Sequence, residues 1–327
     1  MKRDVLEVLK KNKNCFISGE QLSNQLGVTR TSIWKYINAL KQEGYKIESI
    51  PRRGYKLIEE PDTLSKDELL IELDRNRLGD SIYYLQQVDS TNNYVKKLAL
   101  EGAVEGTIVI GEQQTGGRGR LGRHWVSPPG TSIYMSMLLR PLIHPNEAAK
   151  ITEITAAAVA NAIDNVTGLK AGIKWPNDII LDNKKVCGIL TEMNAELNNI
   201  NYVIVGIGVN VNIDEFSDGI SNIATSIKRV LGAEASRKDI VINIVKEFEK
   251  LYYDFINTGS LINTVDICKA KSVTLGRTVR IINKNETIIA KAIDITENGE
   301  LVIKKDDGEI INVISGEVSV RGIDSYV

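Results

Sequence analysis

Ten residues, Gly116 to Trp125, set the tightest limit on what this chain can fold into. Four glycines and three arginines are interleaved through Gly116-Gly117-Arg118-Gly119-Arg120-Leu121-Gly122-Arg123-His124-Trp125, and Pro128-Pro129 follow. Glycine at that density loses too much backbone entropy for a helix or strand interior, so the run is a loop. It contains Gly117-x-Gly119-x-x-Gly122, the letter pattern of a dinucleotide-binding turn. Such a turn needs a helix to open directly after the glycines, so that its amide dipoles meet a pyrophosphate. The paired prolines oppose that helix, and the pattern is set aside. No GxxxxGK[ST] phosphate loop occurs elsewhere in the chain. What is left is a backbone able to close over a ligand, carrying guanidinium forks suited to phosphate or carboxylate oxygens. The competing reading is a basic surface loop, or an arginine-glycine segment that binds RNA.

The chain around the loop changes period twice, which predicts an α+β protein of several domains. Residues 1–60 read helix, helix, helix, hairpin. Ser18-Gly19-Glu20-Gln21 is a capping-box pattern, Gly27 ends the helix it opens, and Thr29 can cap the next. In that third helix Ile33, Ile37 and Leu40 form a buried stripe, while Arg30, Thr31, Ser32, Lys35 and Tyr36 fall largely on other faces. Two short strands, Tyr45–Ile50 and Gly54–Leu57, meet around Pro51-Arg52-Arg53. This is the plan of a winged helix-turn-helix, whose second motif helix enters the major groove with the wing on phosphates. Charge agrees: residues 1–60 hold 12 Lys and Arg against 7 Asp and Glu, a net of +5, and the remainder 29 against 35, a net of −6. A small helical interaction domain with a solvated third helix is the alternative.

Leu64 to Leu78 reads as a linking helix within residues 61–80. From 81 to 270 strands (Val104–Gly111, Ile133–Leu139, Ile179–Leu181, Val186–Met193, Tyr202–Val211) mix with helices (Asn92–Glu101, Glu147–Thr167, Lys238–Ile256). Residues 271–327 are wholly strand-like, with Asn298-Gly299 and Asp307-Gly308 as hairpin turns, and suggest a small SH3-like barrel. Cys15, Cys187 and Cys268 are too scattered for a disulfide framework or zinc site, which fits a reducing cytoplasm. No apolar run approaches the ~18 residues of a membrane span.

Five segments together carry a resemblance. Gly117-Arg118-Gly119-Arg120-x-Gly122-Arg123-x-Trp125 is similar to the GRGRxGRxW signature of biotin protein ligases. Asp89-Ser90-Thr91-Asn92, Lys174-Trp175-Pro176-Asn177-Asp178, Lys185-Val186-Cys187-Gly188-Ile189-Leu190-Thr191-Glu192 and Gly206-Ile207-Gly208-Val209-Asn210 resemble further motifs of that family, in the same order. The winged helix and the C-terminal barrel resemble its bifunctional bacterial subclass, which ligates biotin and represses biotin genes. Three features depart from the pattern: Gly116 is an extra glycine, His124 stands where a basic residue is usual, and Cys187 where a small apolar residue is common.

The resemblance implies a central biotin/lipoate ligase fold and a two-step reaction. Biotin and ATP give biotinyl-5′-adenylate, and a lysine of a biotin carrier protein then takes the acyl group. Neither step needs a covalent enzyme nucleophile; both need anions positioned and charge neutralised. The implied catalytic residues are Arg118, Arg120 and Lys185. Around biotin the family pattern implies Ser90, Thr91, Asn92, Gln114, Arg118, Gly119, Arg120, Lys185, Gly188, Gly206 and Gly208. Around ATP or the adenylate it implies Arg120, Arg123, Trp125, Lys174, Asn177, Asn210 and Ala224, with Asp178 toward Mg²⁺. For Trp125 core packing, for Lys185 a solvated strand position, and for Asp178 a turn role stand as alternatives. Operator DNA would be met by Arg30, Thr31, Ser32, Lys35, Tyr36, Arg52 and Arg53 of a homodimer promoted by ligand. Two further readings are a biotin-sensing repressor without transfer activity and a lipoate ligase-like acyl-adenylate transferase.

Overall fold

The computed structural model describes residues 1–73, 78–283, 286–315 and 318–322. The chain divides into two compact units, Met1–Glu72 and Leu73–Val327.

The first unit runs α1 (Lys2–Lys11), α2 (Gly19–Leu26), α3 (Arg30–Gln42), β1 (Lys46–Ile50), β2 (Gly54–Glu59) and α4 (Lys66–Glu72). Its helices start where the sequence says they should. The Ser18 hydroxyl accepts from the Gln21 amide while the Gln21 side chain accepts from the Ser18 amide, closing the capping box. Gly27 ends α2 at a φ of 65°, and Thr29 Oγ1 accepts from the Ser32 amide at 3.2 Å. Ile33, Ile37 and Leu40 are buried with Leu6, Leu9, Leu22 and Leu57 in one core. β1 and β2 pair antiparallel, and Ile17 and Tyr55 exchange backbone hydrogen bonds of 3.0 and 2.9 Å that tie the hairpin to the start of α2. At Gly54 (φ 106°) a Cβ would lie 2.1 Å from the Ile17 carbonyl oxygen, so the hairpin sits this close only because residue 54 is glycine.

The helix expected from Leu64 to Leu78 is shorter. It ends at Glu72, Leu78-Gly79 lie in a turn, and residues 74–77 fall outside the described residues. It is also no solvated spacer. Glu68 and Leu69 are fully buried, and the Glu68 carboxylate accepts from the Tyr45 hydroxyl and pairs with Lys10.

The second unit opens with β3 (Ile82–Leu85), α5 (Thr91–Leu100), β4 (Ile108–Gly111), β5 (Ser132–Leu139), α6 (Ala148–Thr167), β6 (Gly172–Lys174) and β7 (Asp178–Leu181). It continues through β8 (Lys184–Glu196), β9 (Asn199–Asn210), α7 (Ile227–Leu231), α8 (Arg237–Thr258) and α9 (Ile262–Ala270). The strands form one seven-stranded sheet in the order β3-β4-β5-β9-β8-β7-β6, antiparallel except for β3 beside β4. Val104–Thr107, expected as strand, form a turn in which Gly106 takes a φ of 81°, so β4 starts only at Ile108. The short elements β3, β6, α7 and α9 carried too little periodicity to be read from sequence. α6 packs on α8 and on the sheet; its Ala156, Ala157, Ala158, Ala160 and Ala162 are fully buried, small side chains that let the helix approach closely.

The terminal strands β10 (Thr278–Asn283), β11 (Glu286–Ile295), β12 (Leu301–Lys304), β13 (Ile310–Val313) and β14 (Ser319–Gly322) form a five-stranded antiparallel sheet, β13-β12-β11-β10-β14. Gly299 and Gly308, at φ of 86° and 92°, turn β11 into β12 and β12 into β13.

Candidate active site

Strand alternation builds the floor of the site. Side chains of a strand alternate between faces, and in the β5-β9-β8 register Ser136 pairs with Gly206, Leu190 with Gly206, and Gly188 with Gly208. These even-numbered residues, with Glu192, lie on the face that meets the start of α5. The odd-numbered face meets α6, where the Thr152 and Thr191 hydroxyls lie 2.8 Å apart. Lys185 would fall on the wrong face but for a bulge. Asp178 pairs with Gly188 and Ile180 with Lys185, so the extra residue in β8 brings Lys185 to the face of Gly188.

Three glycines on this floor admit side chains from elsewhere. A Cβ at Gly206 would lie 2.3 Å from Asn92 Oδ1, one at Gly208 2.7 Å from Trp125 Nε1, and one at Gly188 3.0 Å from Lys185 Nζ. The Trp125 indole therefore lies across the Gly188–Gly208 pair, with its buried N–H lacking a hydrogen-bond partner among the described residues. Asn92 is held at both ends: its Nδ2 donates to Glu192 Oε2 at 2.6 Å and its Oδ1 lies 2.6 Å from Ser136 Oγ.

Two adjoining cavities result. Every residue assigned to biotin from the family pattern, Ser90 to Asn92, Gln114, Arg118 to Arg120, Lys185, Gly188, Gly206 and Gly208, lines the first. Its volume, about 50 Å³, is far below the roughly 300–1,000 Å³ of ligand sites, and Trp125 is part of what fills it. Every residue assigned to the nucleotide, Arg120, Arg123, Trp125, Lys174, Asn177, Asn210 and Ala224, lines the second, of about 570 Å³. Gly119, Arg120, Trp125, Asn177 and Lys185 line both.

Charge in the cleft is positive and closely managed. Lys185 Nζ stands 2.5 Å from Asp178 Oδ1 and 5.4 Å from the centre of the Trp125 ring. Arg120 donates to Asn177 Oδ1 at 2.7 Å and to the Val318 carbonyl at 2.6 Å; burial lowers its pKa. Lys174 is 5% exposed; burial lowers its pKa to about 8, Asp178 opposes that shift, and Lys185, Arg321 and Arg123 add to it. Arg118 is exposed and donates to Asn93 Oδ1 at 2.5 Å. Asn210 donates to the Thr225 carbonyl at 3.1 Å, and Ala224 bridges Lys185. No helix follows the glycines: Arg120–Gly122 make a single tight turn with Leu121 at a φ of 57°. No group of three or more His, Cys, Asp or Glu able to hold a metal occurs among the described residues.

Residues 84–210 match the Biotin/lipoate A/B protein ligase family, residues 2–56 an HTH domain, and residues 274–321 the Biotin protein ligase C terminal domain. Over 322 residues the chain is 36% identical to the Bifunctional ligase/repressor BirA of Bacillus subtilis (strain 168), covering 98% of each. The chain belongs to the family of bifunctional biotin ligase/repressors. It is also 29% identical over 306 residues to BirA of Escherichia coli (strain K12), covering 94% of this chain and 93% of that one. The structure of the biotin protein ligase from Aquifex aeolicus in complex with biotin and ATP superposes with a TM-score of 0.66 at 30% identity, over 74% of this chain and 99% of that one.

Within the residues that match an HTH domain, Arg30, Thr31 and Lys35 are exposed on α3 while Ser32 and Tyr36 are half-buried. Trp34, which sequence reasoning passed over, is 56% exposed between them. At the wing Arg52 is exposed with a φ of 66°, and the Arg53 guanidinium lies 4.5 Å from the centre of the Phe16 ring. Around the cleft, the residues that the sequence left without a role are Asn93, Ser127, Ser136 and Glu192, which support its lining, and the β14 edge from Val318 to Arg321, which joins it. Ser136 and Glu192 could have been found from strand alternation, since both share parity with Gly206. The contribution of β14 had no local signal. No helix among the described residues is long and apolar enough to cross a membrane.

Proposed function

We propose that this chain activates biotin with ATP and transfers it to a lysine of a biotin carrier protein, and that the adenylate also governs binding of the winged helix to operator DNA. The observation that carries the reading is the shared wall of the two cavities, where Gly119, Arg120, Trp125, Asn177 and Lys185 face both. A biotin carboxylate in the first cavity would meet the α-phosphate of a nucleotide in the second at that wall. There the carboxylate oxygen attacks phosphorus, the bond to the bridging α–β oxygen breaks, and pyrophosphate leaves. The carrier lysine then attacks the acyl carbon as a free amine, expels AMP and loses a proton. Arg118, Arg120 and Lys185 neutralise the charge that develops on the transferring groups. Magnesium enters as Mg-ATP. Asp178, whose carboxylate lines the second cavity and pairs with Lys185, would be the residue to hold it, since that ion favours oxygen ligands, and the bound ion would supply charge neutralisation at the phosphates.

On the regulatory side, ligand-promoted pairing of two chains would set two winged helices on a palindromic site without any new protein–DNA contact. The deciding experiment is incubation of the full chain with biotin, Mg-ATP and a biotin carrier domain, read as acceptor mass. A biotinyl mass gain is expected; a lipoyl gain in a parallel lipoate reaction with none from biotin would sink the reading. For the DNA half, operator affinity should rise with biotinyl-adenylate and fall steeply with salt. Indifference to the ligand would remove the switch.

A further inference from the structure

One root of the glycine-arginine loop on the biotin-side cavity is the Gln114 carboxamide; Arg120 to Asn177 and the Gly116 amide to the Asp89 carbonyl are others. Gln114 Oε1 accepts from the Thr91 amide at 2.9 Å and lies 3.2 Å from the Thr91 hydroxyl. A backbone N–H can only donate, so the carboxamide oxygen is fixed on that side and Nε2 points the other way. There it donates to Ser127 Oγ at 3.1 Å. Ser127 is 7% exposed and lines neither cavity; its hydroxyl donates to the Trp125 carbonyl at 3.0 Å and also faces the Tyr134 phenol, which itself donates to the Pro128 carbonyl. Gly117 packs on this chain of bonds, since a Cβ there would lie 2.5 Å from the Trp125 carbonyl oxygen, 2.8 Å from Ser127 Oγ and 3.1 Å from Gln114 Nε2. The Trp125 amide donates to the Gly117 carbonyl at 2.9 Å. Both stems of the loop, Gly117 and Trp125, thus meet at Ser127.

We infer that Ser127 is a positioning residue: it links occupancy of the biotin cavity, sensed at Thr91 and Gln114, to the placement of Trp125 against the nucleotide. The bonds run in one direction, from Gln114 to Ser127 to the Trp125 carbonyl, and a hydroxyl has one proton to give. A ligand group that draws on Thr91 or Gln114 alters the donor reaching Ser127, and the Trp125 backbone responds. The Trp125 ring packs on Gly188 and Gly208 with Lys185 Nζ 5.4 Å from its centre, but its buried N–H has no partner among the described residues, so no side-chain hydrogen bond fixes it there. The hydrogen bonds at its backbone therefore do much to decide where the ring stands, and the ring lines both cavities. Mere packing by Ser127 would need its volume; this role needs its hydroxyl.

The inference rests on the ligase reading, and its test separates the two. In the full-length protein, Ser127→Cys keeps the volume and weakens the hydrogen bonds, whereas Ser127→Thr keeps the hydroxyl. Binding of a non-hydrolysable ATP analogue is measured with and without biotin. Wild type is expected to gain at least about tenfold in analogue affinity when biotin is present, a coupling within the usual range for linked sites. Ser127→Cys should lose that gain to within about twofold, while affinity for biotin alone moves by less than about threefold. Ser127→Thr should restore most of the gain, and Ser127→Ala replaces the cysteine variant where that one does not fold. Coupling preserved without the hydroxyl, or absent in wild type, would overturn the inference, as would a threonine variant that behaves like cysteine. Wild type that forms no biotinyl-adenylate from biotin and ATP would instead overturn the ligase reading.

Discussion

The α3 region of the first unit and the glycine-arginine loop of the second are both basic segments read as binding surfaces, and they are built in opposite ways. Around α3 the chain supplies its own partners. Thr29 caps the helix, Ile33, Ile37 and Leu40 are buried, and Glu68 holds Lys10 and the Tyr45 hydroxyl behind it. In the loop, Arg118 is exposed, Leu121 sits at positive φ, and the Trp125 indole N–H is buried without a partner among the described residues. The cavity beside it is too small for a ligand of ordinary size. The first surface is complete before anything binds, as suits a segment that must present fixed side chains to a groove. The second has polar groups left to satisfy, which suits a segment that a ligand reorganises.

The sharpest way to break this contrast is to remove the buried acid behind the first surface. Glu68→Ala leaves the buried Tyr45 hydroxyl without its acceptor and the Lys10 ammonium with Glu60 alone, at 3.1 Å, and loss of a charged partner from such a buried network costs about 3 kcal/mol. We expect calorimetry to show the Met1–Glu72 unit melting separately and earlier, with biotin transfer retained and DNA binding lost. A single undisplaced transition would mean that Glu68 is dispensable to that unit.

The loop should respond differently, in ligand lifetime with little change in stability. Arg118→Gly removes a charge-assisted donor contributing about 1.5–3 kcal/mol when it meets an anion. Release of biotinyl-adenylate should quicken about 10- to 100-fold, with labelling of lysines on bystander proteins. Unchanged retention would contradict a clamping role for Arg118. Gly206→Ala tests the floor beneath: the added Cβ would meet Asn92 Oδ1 at 2.3 Å. Asn92 is tied to Ser136 and Glu192 and cannot step aside cheaply, so biotin affinity should drop by the equivalent of about 1–3 kcal/mol. A titration with wild-type affinity would show that Asn92 moves freely.

What was legible in the sequence follows the same division. Ser18, Gln21, Gly27 and Thr29 act on residues two to four positions away, so their roles in the first unit could be read locally. The cleft residues were legible only because five ordered segments resembled a family. Nothing near Ser127 in the sequence points to Gln114, and nothing near Glu192 points to Asn92, 100 residues earlier. The bulge that turns Lys185 toward Asp178 is equally silent, because strand alternation alone would bury it on the α6 side. The expected helix to Leu78 failed for a related reason: its periodic pattern continues past Glu72, whereas Gly79 takes a φ of 94° in the turn that follows.

The smallest expected effect is a pH dependence, and it probes the wall of the second cavity. Lys174 lies in a buried, cation-rich setting, and burial with its positive neighbours lowers its pKa to about 8. At pH 7 the ammonium predominates and can meet phosphate oxygens; by pH 9 most of it has lost its proton, and that attraction with it. Because kcat/KM reports groups of the free enzyme, kcat/KM for ATP should fall with rising pH through an apparent pKa near 8. Above it the decline tends toward tenfold per pH unit, about 1.4 kcal/mol each, while kcat with both substrates saturating moves less, since a bound phosphate favours the charged form. Lys174→Arg should flatten the profile in this range, because a guanidinium stays protonated. A wild-type profile already flat from pH 7 to 9, or an arginine variant with the same decline, would show that the cation at residue 174 does not hold the nucleotide. The phosphate contacts would then fall to Arg120 and Arg123 of the loop and to Lys185 of β8.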